Sequence, residues 1–149
     1  MSQPAQIDPR GHRFNAVPTS AVLAAAILAL EPLPAVATAL VLFQFAVFVI
    51  GGFVNLQSSP YARFFSRFIR PRIGPPAAWE DAAPPAFSQV VGTVFLGVTV
   101  IGLLIPGATV VAYAGLSLAL VASLLNATVG LCVGCELYVL LQRLQASKV

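Results

Sequence analysis

The residues best suited to chemistry are two cysteines close to the end of the chain. They are the only cysteines among 149 residues and lie three positions apart in the stretch GLCVGCELY, residues 130–138. Thiols at this spacing can close a disulfide, exchange with one or carry a persulfide, and each reaction requires a thiolate. The carboxylate of Glu136 follows directly and could accept a thiol proton. We therefore predict catalytic roles for Cys132, Cys135 and Glu136.

Two other roles for the cysteines stay open. Two thiolates supply half of a tetrahedral metal site, and only His12 and the carboxylates remain as ligands within one chain. A dimer could supply four thiolates. Free cysteines also serve as small apolar packing residues. We predict neither a metal nor a cofactor. His12, in the stretch DPRGHRF, is interpreted as a solvated residue or a local hydrogen-bond partner.

The composition indicates an integral membrane protein. Hydrophobic residues make up 58% of the chain and charged residues 9%, and the mean hydropathy is +0.90. A soluble domain has about a quarter of its residues charged. The net charge of +3 comes from basic residues that flank apolar blocks, which favours anionic lipid headgroups over nucleic acid as the partner.

Four apolar segments predict an all-α fold with four transmembrane helices in a single domain, residues 1–149. A span requires about 20 residues at 1.5 Å each. The segment after Pro106 and Gly107 meets no charge until Glu136. The predicted spans cover about 15–30, 35–53, 87–105 and 108–130.

The distribution of basic residues predicts the orientation. With four spans, both termini and the long connection between spans two and three lie on the same side of the membrane. All eight basic residues fall there, and the opposite side carries Glu31. The positive-inside rule then places this side in the cytoplasm. The protein is predicted to be a multi-pass protein of the cytoplasmic membrane.

The connection between spans two and three contains an amphipathic stretch, YARFFSRFIR, residues 61–70. Helical spacing gathers its aromatic residues on one face and its arginines on the other, which is typical of an interfacial helix. We predict such a helix over about 60–70 on the cytoplasmic surface. The residues expected to contact headgroups or a partner are Arg63, Arg67, Arg70, Arg72, Asp8 and Arg10.

If the fourth apolar segment continues as one helix, it has two distinct faces. Asn126, Gly130 and Gly134 recur every four residues, and small residues at this spacing allow another helix to approach closely. We predict structural or packing roles for these three. Cys132 and Cys135 lie on the other side of the same helix, near its cytoplasmic end.

Three motifs resemble a bacterial, mainly actinobacterial, membrane family known as domain of unknown function 4395. They are IDPRGHRF, SPYARFFSRFIRPRIGPP and LNATVGLCVGCELYVLLQRL. The resemblance covers nearly the whole chain. It implies a small protein with four spans and a link to thioredoxin-like or sulfurtransferase partners. The family motif would include Asp8, Pro9, Arg10, Arg70, Pro71, Arg72, Pro75, Asn126, Gly130, Cys132, Gly134, Cys135 and Glu136.

These observations predict a membrane protein that presents a dithiol at the cytoplasmic interface for thiol-redox or sulfur relay with a soluble partner. The alternative is a non-enzymatic subunit or scaffold of a larger membrane complex, based on the small-residue stripe. A solute transporter would require a homo-oligomer, because four short helices enclose little pathway.

Overall fold

The computed structural model describes residues 5–148 of the chain. It is all-α apart from one antiparallel pair of two-residue strands, in which Gln6 pairs with Asp81 and Ile7 with Glu80. The elements are β1 (Gln6–Ile7), α1 (Pro9–Ala29), α2 (Pro34–Val49), α3 (Pro60–Phe64), α4 (Arg70–Ile73), β2 (Glu80–Asp81), α5 (Ala83–Leu104), α6 (Thr109–Val129) and α7 (Val133–Ala146).

The four long helices α1, α2, α5 and α6 form a ring in which each helix packs against two others. Short turns join α1 to α2 and α5 to α6. The core between them is made of small and branched residues, with Leu23, Val41, Leu96 and Leu116 completely buried. Glycine permits close contact here, since a Cβ built on Gly102 would lie 2.6 Å from the Ala112 nitrogen.

Three helices are long and apolar enough to cross a membrane: Pro34–Val54, Ala83–Leu104 and Thr109–Val129. The first of these is α2 with the π-helical extension Ile50–Val54. Large apolar side chains cover their outward faces, and Leu104 and Val110 are 76% and 78% exposed. This arrangement suits a lipid environment and supports the prediction of membrane helices. The first predicted span, 15–30, lies within α1 except for its last residue, Leu30. The helix α1 is not among these three.

The stretch predicted as an interfacial helix is helical, in three short pieces: α3, the π-helical turn Phe65–Ile69 and α4. Phe65 points inward, is 6% exposed and packs beside Phe14 of α1, with ring centroids 5.6 Å apart. Phe64 and Phe68 remain half exposed. Phe65, predicted to face the membrane, therefore belongs to the protein interior. The helical pattern placed it on the apolar face, but it could not show whether protein or lipid packs against that face.

The N-terminal segment and the connection between α2 and α5 meet at one end of the bundle, which we call the loop end. The β1–β2 pair lies here. Asp8 caps α1 by accepting the Arg10 backbone N–H at 3.0 Å, and its carboxylate forms a 2.9 Å ion pair with the Arg10 guanidinium. Arg10 also donates to the Gly74 carbonyl at 2.7 Å. These contacts hold the first turn of α1 in a defined position.

Candidate active site

The helix that carries the cysteines is broken. α6 ends at Val129, and Gly130 adopts a left-handed conformation with φ of 74°. Its backbone N–H and that of Leu131 both donate to the Leu125 carbonyl, which closes the helix end. A new helix, α7, then begins at Val133. The continuous helix assumed in the sequence analysis is therefore wrong, because glycine reaches this conformation without the steric cost that other residues meet.

The break gives the two glycines different structural roles. Gly130 is exposed and lies at the turn, where its backbone conformation matters more than its lack of a side chain for packing. Gly134 is buried against α5, and a Cβ built on it would lie 2.5 Å from the Ser88 Cβ. Gly134 therefore packs within the chain and fixes the start of α7 on α5.

The cysteines occupy the N-terminus of α7 and form a disulfide with each other. Cys132 is the N-cap residue, and its sulfur accepts the Cys135 backbone N–H at 3.3 Å. A helix N-terminus favours negative charge through its free N–H groups and its dipole. After reduction, this position stabilises a thiolate on Cys132 in particular.

His12 is the functional residue that the sequence analysis missed. Its Nε2 lies 3.4 Å from the Cys132 sulfur and 3.9 Å from the Cys135 sulfur. The Asn126 side-chain nitrogen is 3.2 Å from the same Nε2. An amide nitrogen can only donate, so Asn126 donates to Nε2 and the imidazole proton is assigned to Nδ1. The single lone pair of Nε2 therefore accepts from Asn126, and this nitrogen lies beside the sulfurs.

Burial lowers the pKa of His12 to about 4, so the imidazole is neutral at neutral pH. His12 precedes the apolar stretch of α1 and lies at the loop end. Arg13 next to it donates to the Thr128 carbonyl at 2.8 Å and to the Ala127 carbonyl at 3.5 Å. These bonds fasten the start of α1 to the end of α6 and keep the imidazole against the disulfide.

The remaining predicted residues lie at different distances from this centre. Asn126 is buried and contacts His12, whereas Glu136 is exposed in the first turn of α7. Within residues 5–148, the Glu136 carboxylate has no hydrogen bond, so His12 is the proton-accepting group that contacts the sulfurs. Arg70 stacks on Trp79, with 5.0 Å from the guanidinium carbon to the ring centroid. The other arginines of the middle connection, Arg63, Arg67 and Arg72, are exposed.

A cavity of about 150 Å³ lies inside the helix ring next to the disulfide. Cys132, His12 and Asn126 line one part of it, and Phe48 and Phe95 belong to its largely apolar remainder. His12 and Asn15 also line a second cavity of about 170 Å³ beneath the middle connection. The imidazole thus separates the interior of the bundle from the loop end.

The same three residues could hold a metal ion after reduction. The His12 ring nitrogen and the two sulfurs all lie within 4.8 Å of one another. In the disulfide the sulfurs are bonded to each other and are not thiolate ligands. A reduced pair with His12 would provide three of the four ligands of a tetrahedral zinc site. The ligand count made from sequence named His12 as a remaining ligand but did not place it beside the cysteines.

Comparison with known proteins gives a family but no activity. Residues 7–143 match the family described as Domain of unknown function (DUF4395). No curated protein and no solved structure matches the chain.

Proposed function

The chain belongs to the family described as Domain of unknown function (DUF4395), and from its site geometry we propose that it is a membrane thiol–disulfide oxidoreductase with Cys132–Cys135 as its redox centre. The observation that carries the proposal is the contact of the His12 Nε2 with both sulfurs of a disulfide at a helix N-terminus. A packing pair of cysteines requires neither a base nor a helix N-terminus.

In the reduced state, Asn126 orients the neutral imidazole. Burial lowers the pKa of His12 to about 4 and disfavours a resting imidazolium, so His12 acts as a general base that takes the Cys132 proton while the sulfur reacts, and Nε2 exchanges its bond from Asn126 for that proton. The thiolate that forms is stabilised by the Cys135 N–H. This arrangement combines the base and the helix terminus that activate thiols in proteins. Glu136, exposed one residue later, contributes negative charge at the surface rather than a contact with sulfur.

Exchange with a soluble partner follows from this chemistry. A thiolate of the reduced partner attacks one sulfur of the Cys132–Cys135 disulfide and forms a mixed disulfide, releasing the other sulfur as a thiolate. The second thiol of the partner then displaces the first sulfur. The partner leaves as a disulfide, and two electrons and two protons remain on the cysteines of this protein. A thioredoxin-like protein has the required dithiol chemistry.

The placement in the membrane is part of the proposal. Three helices have the length and apolar composition of spans, and α1 completes the ring between α2 and α6. We propose α1 as the fourth span, since a short turn leads from it directly into α2. The eight basic residues flanking the spans favour a cytoplasmic location for the loop end, where the disulfide would meet soluble partners.

The test is the thiol state of the two cysteines in intact membranes. Membranes are treated with dithiothreitol or with a thiol oxidant, quenched in acid and alkylated before mass spectrometry. We expect a disulfide between Cys132 and Cys135 after oxidation and two alkylated thiols after reduction. A Cys135→Ser variant is the control, because it cannot close the bridge. Cysteines that stay reduced and unreactive until the membrane is dissolved would identify buried packing residues and end the proposal.

A further inference from the structure

Two residues that line the cavity beside the disulfide, His12 and Asn15, each have a buried polar atom without a partner among residues 5–148. A ligand in the cavity reaches these atoms when the two side chains turn toward it. Asn15 is 8% exposed, and its Oδ1 accepts no hydrogen bond from residues 5–148. The His12 Nδ1 is also buried and unpaired in that range. Both residues line the cavity. Leaving a buried polar atom unpaired costs about 1–3 kcal/mol, so such atoms usually mark a bound group.

The two unpaired atoms are complementary. The tautomer set by Asn126 makes the His12 Nδ1 a donor, while the Asn15 Oδ1 is an acceptor. A carbonyl oxygen on a ligand would accept from His12, and a hydroxyl would donate to Asn15. A ligand whose oxygens alternate between carbonyl and hydroxyl can therefore use this pair in both of its states.

The shape and lining of the cavity restrict the ligand further. A volume of about 150 Å³ is that of a protein cavity known to admit one benzene ring. This cavity is partly open, so substituents on a bound ring can extend out of it. Phe48 and Phe95 are among the mostly apolar residues that line it. The ligand is thus a single, largely apolar ring with oxygen substituents.

Cys132 also lines the cavity, so a ring bound there lies beside the redox centre. We propose that the cavity binds the ring of a quinone, which accepts two electrons and two protons from the reduced Cys132–Cys135 pair. This inference rests on the proposed thiol-redox function and names its second substrate. A membrane protein can receive a quinone from the surrounding lipid.

The step balances as follows. The two thiols lose two electrons as the sulfur–sulfur bond forms. The quinone gains these electrons, and its two carbonyl oxygens become hydroxyls. One proton comes from the Cys132 thiol by way of His12, and the other comes from the Cys135 thiol. The products are one disulfide and one quinol, and a reduced soluble protein can then restore the dithiol.

The experiment uses the full chain, reduced, freed of reductant and mixed with duroquinone without oxygen. The ring of duroquinone is fully substituted, so a thiol cannot simply add to it. We expect one quinol for each disulfide formed.

Ala122→Phe fills the cavity from α6 and should slow quinone reduction at least tenfold. The matched control is Ala114→Phe, since Ala114 is exposed on the same helix, and it should react at the wild-type rate.

Two further measurements separate the inference from the proposed function. Exchange with dithiothreitol should persist in Ala122→Phe, which shows that its disulfide site is intact. In the wild-type protein, duroquinol should slow alkylation of the reduced cysteines, because it occupies the cavity without oxidising them. Thiol exchange without quinone reduction, or reduction that Ala122→Phe leaves unchanged, would overturn the quinone assignment alone. Loss of both activities in the wild type would reject the function as well.

Discussion

Replacing His12 with alanine removes the base next to the disulfide and leaves the helix N-terminus in place. In the folded protein, the His12 Nε2 lies 3.4 Å from the Cys132 sulfur and accepts from Asn126. Without the imidazole, the Cys132 thiol must ionise to water. We therefore expect a slower reaction of the reduced protein at neutral pH.

The size of the effect follows from the fraction of thiolate. A thiol with an ordinary pKa of about 8.5 is about 3% ionised at pH 7. Complete transfer of its proton to His12 would raise the rate about 30-fold. This is the ceiling, because a His12 pKa of about 4 opposes full transfer in the resting protein and the helix N-terminus retained in the variant also favours the thiolate. At pH 9.5 an ordinary thiol is about 90% ionised, so the advantage of the histidine should disappear.

The assay is a stopped-flow reaction of the reduced full chain with a chromogenic disulfide between pH 6 and pH 10. His12→Ala should fall below the wild-type rate by up to about 30-fold at pH 7 and reach it by pH 9.5. Val17→Ala, at an exposed position on the same helix, serves as the control and should follow the wild-type profile. A deficit that is constant across pH, or no deficit at pH 7, would refute a proton-accepting role for His12.

Three other outcomes are expected. Asp8→Ala should lower the unfolding free energy by about 1 kcal/mol, the usual value of an N-cap, as read from thermal unfolding in detergent. The pKa of Asp8 is held below its ordinary value of 3.8 mainly by its hydrogen bond with Arg10. Its stabilisation is therefore present above pH 3.8 and lost as the pH falls further, and Asp8→Asn should remove this pH dependence. Gly134→Ala should destabilise the protein by about 1–3 kcal/mol through overpacking. Gly97→Ala, whose Cβ would lie 3.8 Å from the nearest ring, should be nearly neutral. Equal melting temperatures for these two variants would contradict the packing role of Gly134. In a cysteine-free background, Ser147→Cys should react with a membrane-impermeant reagent only from the cytoplasmic side, and Pro106→Cys only from the opposite side. Labelling of both variants from the same side would reject the topology.

The disulfide and its neighbours were partly accessible from sequence. Cys132 and Cys135 could be selected because their spacing suits a disulfide, and Asn126 because an amide in an apolar helix requires a partner. The break at Gly130 had one available signal, a glycine after a long helical stretch. No charged residue interrupts the stretch around this glycine before Glu136, so hydropathy alone did not reveal the break.

His12 could not be assigned from its own neighbourhood. It lies 120 residues from Cys132 along the chain, and its contact depends on how α1 packs against α6. The Arg13 bonds to the last carbonyls of α6 establish that packing. A lone histidine beside arginines in sequence is commonly solvated, and only the fold places this one against sulfur.

The sequence by itself determined the helical class and the position of the three helices that could cross a membrane, because hydropathy is a sum over neighbouring residues and requires no knowledge of the fold. It also identified the cysteine pair, because the spacing of Cys132 and Cys135 is local. The tertiary structure decided which groups contact that pair, since His12, Asn126 and Cys132 come from α1, α6 and the N-terminus of α7. It also created the cavity, because a space between helices exists only once they have packed.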